Sequence, residues 1–271
     1  VKESCLNCCC NSNKIQKREQ KNIEIIFSNE QECLNWVNAI NSVLRNITIR
    51  SNDDGIIEAP STLKYLVYVN PVGGTGNAVN IWNNIRPFLD YASIEYELLI
   101  TERANHAKDD MATRNLDDIY AVVIVGGDGL IFEVISGLLS RSDSQTYLKK
   151  VIFAPIPGGS GNGLIRSILH ESNEEYSPEN AMFIAVRGKS SPLDLSQVET
   201  LNHKYVSFLI LGWGFISDCD ILSENMRWMG EMRFTVAAVQ RLIGKKLYRG
   251  RLTMLLQNSS SSPSSSSPIN G

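Results

Sequence analysis

One aspartate, Asp128, stands among glycines in 126-GGDG-129. A carboxylate so bare of neighbouring side chains can meet a ligand directly and take up a proton from it. Two more glycine loops share its setting: 70-NPVGGTGNA-78 and 157-PGGSGNG-163. Each of the three follows an apolar run and precedes a helical pattern. Glycine lets backbone N–H groups approach a ligand closely, and helix N-termini favour anions. Three such loops, each with a polar residue (Asn70, Asp128, Ser160), predict a polyphosphate ligand. The first loop is not a P-loop, because no Gly-Lys-Ser/Thr follows it. It is not a dinucleotide fingerprint either, since 73-GGTGNA-78 lacks the G-x-G-x-x-G spacing.

The loops need strands to hold them side by side. Strands are predicted at 63–70, 94–100, 119–125 and 151–157. Helices are predicted from Ala78 to Leu89, over 105–116 and 130–139, and from 164. Strand–helix alternation predicts an α/β fold: a parallel-sheet nucleotide-binding domain with helices on both faces, over 63–190. Ligands of such sheets lie at the carboxyl ends of the strands, so the loops should share one cleft. Strand patterns at 192–198, 204–213 and 248–256 predict the start of an incomplete β-rich second domain over 191–257. Upstream, 23-IEIIF-27 reads as a strand and 29–44 as a helix capped by Ser28. Strand plus Trp36-bearing helix resembles the end of a pleckstrin-homology-like module, so 1–50 is either that partial module or irregular. Residues 51–62 read as a linker, and the serine tract 258–271 as a disordered tail.

The chain has 271 residues, 43% apolar and 20% charged, with a net charge of −3. That balance gives no electrostatic reason for a nucleic-acid partner. No apolar run approaches the roughly 18 residues of a membrane span. Four of the six cysteines crowd into 5-CLNCCC-10, which is no disulfide framework and suits a reducing compartment. S-acylation of that cluster is one reading; an irregular terminus is the other. The first residue is Val, so the chain is expected to be incomplete at its start.

Together the motifs have a familiar form. NPxGGxG, GGDG with Glu133 five residues after its Asp, and PGGSGN resemble the diacylglycerol-kinase-type catalytic domain. Within that group, 101-TERANHA-107, 212-GWGFISDCDILSENMRWMGEMRF-234 and Asn162 in the third loop are similar to the sphingosine kinase family rather than to ceramide kinases. The resemblance covers about 63–257. It implies transfer of the ATP γ-phosphate, with Mg2+, to the primary hydroxyl of a sphingoid base. It implies a cytoplasmic protein recruited peripherally to membranes, with a transient membrane surface as partner and no nucleic acid. It leaves the oligomeric state open. Such kinases also carry a larger β-sandwich with a second Gly-Asp-Gly-type segment. None follows residue 129, so a chain incomplete at its end too is expected, with an inactive nucleotide- or lipid-binding fragment, or a related ceramide or diacylglycerol kinase, as the alternatives.

The resemblance also assigns residues. Asp128 accepts the hydroxyl proton, or caps the following helix. Glu133 supports Asp128 or a metal-bound water, or is a plain helix-surface acid. Asn70, Gly73, Gly74, Gly76, Gly126, Gly127, Gly129, Gly158, Gly159, Ser160, Gly161 and Asn162 surround the nucleotide, with Thr101 reaching it from a neighbouring strand. Mg2+ would lie near Asp128. Arg227 and Arg233 clamp phosphate, a role suited to planar guanidinium groups. Asp220 takes the polar head of the lipid, with Asp218 as its local competitor. Ile216, Cys219 and Phe234 contact the acyl tail or are core. Outside the resemblance, His106 at a predicted helix start reads as structural, with a role as base as the other reading. The first loop has Val72, Thr75 and Asn77 where the family often has a basic residue, which predicts weaker ATP binding.

Overall fold

A computed structural model describes residues 23–45, 47–74, 76–202, 204–230, 232–244, 246–251 and 253, with the side chain of Arg227 left out. The cysteine cluster, Thr75, the serine tail and residues 252 and 254–256 lie outside the described residues.

Four parallel strands form the central sheet: β1 (Leu63–Val69), β2 (Ile94–Ile100), β3 (Ala121–Gly126) and β4 (Ile152–Pro157). Their order is β2-β1-β3-β4. The chain leaves β1 toward one edge and returns to build toward the other, so the order reverses between β1 and β3. A crevice opens there at the carboxyl ends of the strands. The strands are nearly continuous in apolar residues because both faces are covered. On one face Tyr65, Val67, Val69, Val123 and Val125 pack against α2 (Ala78–Ile85), α3 (Pro87–Tyr91), α7 (Gly163–Glu171) and α8 (Pro178–Arg187). On the other, Leu66, Tyr68, Val122 and Ile124 pack against α4 (His106–Thr113), α5 (Asp128–Leu139) and α6 (Ser144–Lys150). The period-2 alternation of β1 and β3 assigns each side chain to its face.

The predicted helix from Ala78 to Leu89 is two helices, because Pro87 lacks an N–H and starts a new one at its first position. Four helices went unread in the sequence: α6, α8 and two beyond residue 190. The signal for α8 was present: Ser177 accepts from the Asn180 N–H, Pro178 follows, and Gly188 closes the helix at φ +68°.

Residues 23–27 form no strand. The helix after them, α1 (Glu30–Leu44), is capped by Asn29, whose side chain accepts from the Glu32 N–H at 2.8 Å. Ser28, expected as the cap, instead donates from Oγ to the Glu32 carboxylate. The short polar side chain one residue nearer the helix reached the free N–H first. Residues 51–57 are held to α1 by the Asn35 and Asn38 side chains.

After residue 190 the β character takes the form of one small antiparallel sheet, β5 (Ser196–Glu199) with β6 (Lys204–Ser207). Both are shorter than the predicted 192–198 and 204–213, and residues 248–251 form no strand. The rest is helical: α9 (Phe215–Ser223), a 3-10 turn (Glu224–Met229) and α10 (Met232–Gly244). Gly214, at φ +74°, turns the chain from the apolar 208–213 segment into α9.

Candidate active site

Register brings the glycine loops together. Val69 pairs with Val125, and Val125 with Ile156, so the residues that follow leave the sheet side by side. The Asn70 N–H donates to the Val125 carbonyl at 3.1 Å. The Asn70 side-chain oxygen accepts from the Val72 and Gly73 N–H groups, both at 3.0 Å. Its oxygen is thereby committed to shaping the first loop.

Most of the glycines serve contact between loops. A Cβ on Gly159 would lie 2.4 Å from the Gly127 Cα, and one on Gly127 would lie 2.8 Å from the Gly161 carbonyl oxygen. A Cβ on Gly74 would meet the Gly159 carbonyl carbon at 2.7 Å. The three loops interlock backbone to backbone. Asn162 fixes the third from within: its side chain accepts from the Gly159 N–H at 3.1 Å and donates to the Gly159 carbonyl at 2.7 Å. Gly129 differs. No protein atom lies within 4 Å of its would-be Cβ, so the space beside Asp128 is open.

Asp128 occupies the first position of α5, after the Gly127 cap. Its carboxylate reaches across to the start of α7, accepting from the Gly163 N–H at 2.8 Å and the Leu164 N–H at 3.3 Å. The capping role thus belongs to a helix thirty-five residues on, and the carboxylate is held by two backbone donors. Each oxygen keeps further lone-pair capacity toward the cleft. Glu133, just over one turn along α5, is half-buried and lines the same cleft.

The cleft is about 1470 Å3, beyond the roughly 300–1,000 Å3 of a typical small-molecule pocket. One end is formed by Asn70, Gly73, Gly74, Thr101, Gly127, Asp128, Gly129, Gly159, Ser160 and Gly161. The other end is formed by residues after 197: Ile216, Cys219, Asp220, Glu224, Arg233 and Phe234, with the apolar run Phe208–Leu211. Gly76, Gly126, Gly158 and Asn162 stand outside this wall: Gly126, Gly158 and Asn162 pack the loops, and Gly76, at φ +73°, is an exposed turn residue. Thr101 is buried, and its hydroxyl is within 3.3 Å of the Val69 carbonyl. His106 accepts from the Glu102 N–H through Nδ1 at 3.1 Å and orders the turn before α4. The run 208-FLILGW-213 was read as a strand; its part in the wall was missed, though its unbroken apolarity was a signal. The Gly163 and Leu164 amides were missed because nothing local marks them as partners of Asp128.

The charged groups of the wall are mainly acidic. Among the described side chains, Glu102, Asp128, Glu133, Asp220 and Glu224 face the cleft, against Arg103 and Arg233. Arg103 is paired with Asp109 at 2.6 Å and Arg233 with Glu224 at 3.2 Å. Arg233 is only 5% exposed, lies over the Phe234 ring at 4.4 Å, and its Nε has no described partner.

The two acids of α9 divide clearly. Asp218 accepts from the Tyr248 hydroxyl at 2.6 Å and from Lys246 at 2.9 Å, and Arg241 lies 3.3 Å away. Asp220 lines the cleft, and no described residue donates to its carboxylate. Among the described residues no three acids, histidines or cysteines gather into a metal cage. Mg2+ needs no such cage, since it takes one or two carboxylates and completes its shell with phosphate and water. The donors near the glycine loops, Asp128 and Glu133, fit that demand.

Residues 64–198 match the diacylglycerol kinase catalytic domain family. Sphingosine kinase 1 of Mus musculus is 37% identical over 203 residues, covering 72% of this chain and 53% of its own length. Sphingosine kinase 1 of Arabidopsis thaliana is 37% identical over 190 residues, covering 70% of this chain and 39% of its own. The chain therefore spans about half the length of these relatives or less. A solved structure of a diacylglycerol kinase from Bacillus anthracis str. Sterne is 25% identical, covering 49% of this chain and 44% of its own at a TM-score of 0.40. On its motifs, the family match and the similarity to the two sphingosine kinases, the chain belongs to the diacylglycerol-kinase-type lipid kinase family.

Proposed function

We propose that this chain is the catalytic part of an ATP-dependent lipid kinase that phosphorylates the primary hydroxyl of sphingosine or a related sphingoid base, giving sphingosine 1-phosphate. One observation supports this above others: a single cleft joins glycine-loop amides and Asp128 at one end to Asp220 within an apolar wall at the other. A long-chain amine has a cationic head for Asp220 and a chain for Phe208–Leu211, Ile216 and Phe234. Diacylglycerol and ceramide lack the ammonium and would leave Asp220 without a counter-charge.

In this reading the N–H groups of the three loops hold the phosphates. Asp128 and Glu133 would hold Mg2+ beside them; when bound, the ion neutralises charge on the phosphates. The lipid hydroxyl oxygen attacks the γ-phosphorus as the bond to the β-phosphate oxygen breaks. The hydroxyl proton passes to the Asp128 carboxylate, and ADP leaves. The Gly163 and Leu164 amides hold Asp128 during the transfer, so little reorientation is needed. The lipid substrate implies transient contact with a membrane surface in a cytoplasmic protein. No described helix is long and apolar enough to cross a membrane.

A second reading, binding of nucleotide or lipid without transfer, is favoured by the open outer side of the apolar end. Trp228 and Ile243 there are 79% and 78% exposed. Transfer of labelled γ-phosphate from Mg-ATP to sphingosine, ceramide and diacylglycerol in parallel, with the chain and its Asp128→Asn variant, separates the two. Asp128-dependent labelling of sphingosine alone supports the kinase. A folded chain that labels no lipid supports the second reading.

A further inference from the structure

Asp218 remains outside the chemistry just described, yet it is the most heavily bonded acid of the C-terminal part. It stands in the first turn of α9, where its N–H donates to the Gly214 carbonyl at 3.0 Å. Its carboxylate gathers Tyr248, Lys246 and Arg241, donors from α10 and from the segment beyond it. That segment also closes over the turn that opens α9. The Tyr248 ring meets Trp213 edge-on, with centroids 6.1 Å apart and planes at 70°. A Cβ on Gly214 would lie 3.4 Å from the Tyr248 ring, and one on Gly250 would lie 2.8 Å from the Trp213 ring. Residues 246–250 thus form a strap across Trp213 and Gly214, fastened at Asp218. On α9, directly beyond the fastening, are Ile216, Cys219 and Asp220, all lining the cleft.

We propose that Asp218 is a positioning residue for the lipid end of the cleft: it fastens the 246–250 strap to the first turn of α9 and so fixes Ile216, Cys219 and Asp220. This rests on the reading of that end as the lipid site. A helix end exposed on its outer side has little packing to hold it, and two charge-assisted hydrogen bonds and an ion pair on one carboxylate supply the missing restraint. Asp218 takes no part at the reacting atoms, and its effect on the lipid is indirect. Loss of the fastening frees α9 while leaving the glycine loops in place, because those are held by contacts among themselves.

Cys219 is 7% exposed and reports the state of α9 directly, while Cys33 on α1 is a distant control. The rate of alkylation of each by N-ethylmaleimide, followed by peptide mass mapping, is to be measured in the whole chain and in Asp218→Asn and Tyr248→Phe. Tyr248→Phe keeps the ring and removes one donor, so it tests the strap even where Asp218→Asn folds poorly. The Cys219 rate is expected to rise about tenfold in Asp218→Asn, with Cys33 unchanged, as for local opening. The sphinganine concentration that halves Cys219 labelling should rise about fivefold or more, while the ATP concentration needed for half-maximal binding stays within about twofold. Unchanged Cys219 labelling in both variants overturns the proposal, as does an equal weakening toward sphinganine and ATP. A parent chain that transfers no phosphate counts against the proposed function alone, since the labelling comparison judges the strap without turnover.

Discussion

The interlocked loops make a quantitative demand at Gly159. Its added Cβ in Gly159→Ala would lie 2.4 Å from the Gly127 Cα and 2.7 Å from the Gly127 nitrogen, both backbone atoms. Carbon atoms rest at about 3.5–4.0 Å, so the second and third loops must part by about 1 Å or more. Forcing an extra methyl into packed backbone costs about 1–3 kcal/mol. At about 2–4 °C per kcal/mol for a domain of this size, the melting temperature should fall by roughly 2–12 °C. The shift also moves Gly127, and with it Asp128, relative to Ser160 and Gly161. Misplacement by about 1 Å at a reacting centre costs about a hundredfold in rate, so phosphoryl transfer should fall by about that factor. Gly129→Ala is the matched control. Its Cβ meets nothing within 4 Å, and its backbone is not left-handed, so the melting temperature should hold or rise slightly. Any activity it loses must come from the ligand. Thermal melts and initial rates on the two variants decide the matter. A Gly159→Ala protein with unaltered melting and rate refutes the interlock, and an equal loss of stability in Gly129→Ala refutes the open space beside Asp128.

Asp220→Asn should raise the KM for sphingosine several-fold more than that for ATP; equal rises, read from steady-state kinetics, would remove Asp220 from the head-group role. Arg45 is buried, and its guanidinium donates to the carbonyls of Ser61, Ala92 and Ser93. Arg45→Ala leaves these acceptors unpaired and should cost about 3 kcal/mol, seen as a lower urea midpoint; an unchanged midpoint would mean that α1 contributes nothing to the stability of the sheet domain. The Asp218 carboxyl is held below the usual carboxylate range, first by the Tyr248 hydroxyl and then by Lys246. A depressed folded value adds stability that is present above the unfolded value of about 3.9 and is lost as pH falls through the folded one. The stability deficit of Asp218→Asn at pH 7 should therefore close in acid, as pH falls below the unfolded value and through the lower folded one. A deficit that persists there would show that the carboxylate charge is not what fastens the strap.

The central sheet was legible because its signals are local. Apolar runs such as Ala121–Val125 and Ile152–Ile156 can only be buried strands when glycine loops and helical patterns bound them. Asp128 was legible for the same reason: its neighbours at one and two residues' distance already mark a strand-to-helix turn. The end of the predicted helix at Pro87, and Asn29 in place of Ser28 as a cap, are local rules too, decided by one residue's spacing.

The sequence by itself therefore determined the parallel sheet, the three loops and the identity of the acid among them, since backbone conformation over a few residues responds to those residues. Only the tertiary structure decided what each loop residue does. The Asn70 side-chain oxygen and the Asn162 amide lock their own loops, while Asn70 also lines the cleft. Gly127 and Gly159 are glycine because the strand register sets two loops, more than thirty residues apart, at backbone contact. Asp128 caps α7 for the same reason. Asp218 and Asp220 are two residues apart and alike in chemistry. The phase of α9 turns one toward Tyr248 and the other toward the cleft, and that phase is fixed by packing that no short window of sequence contains.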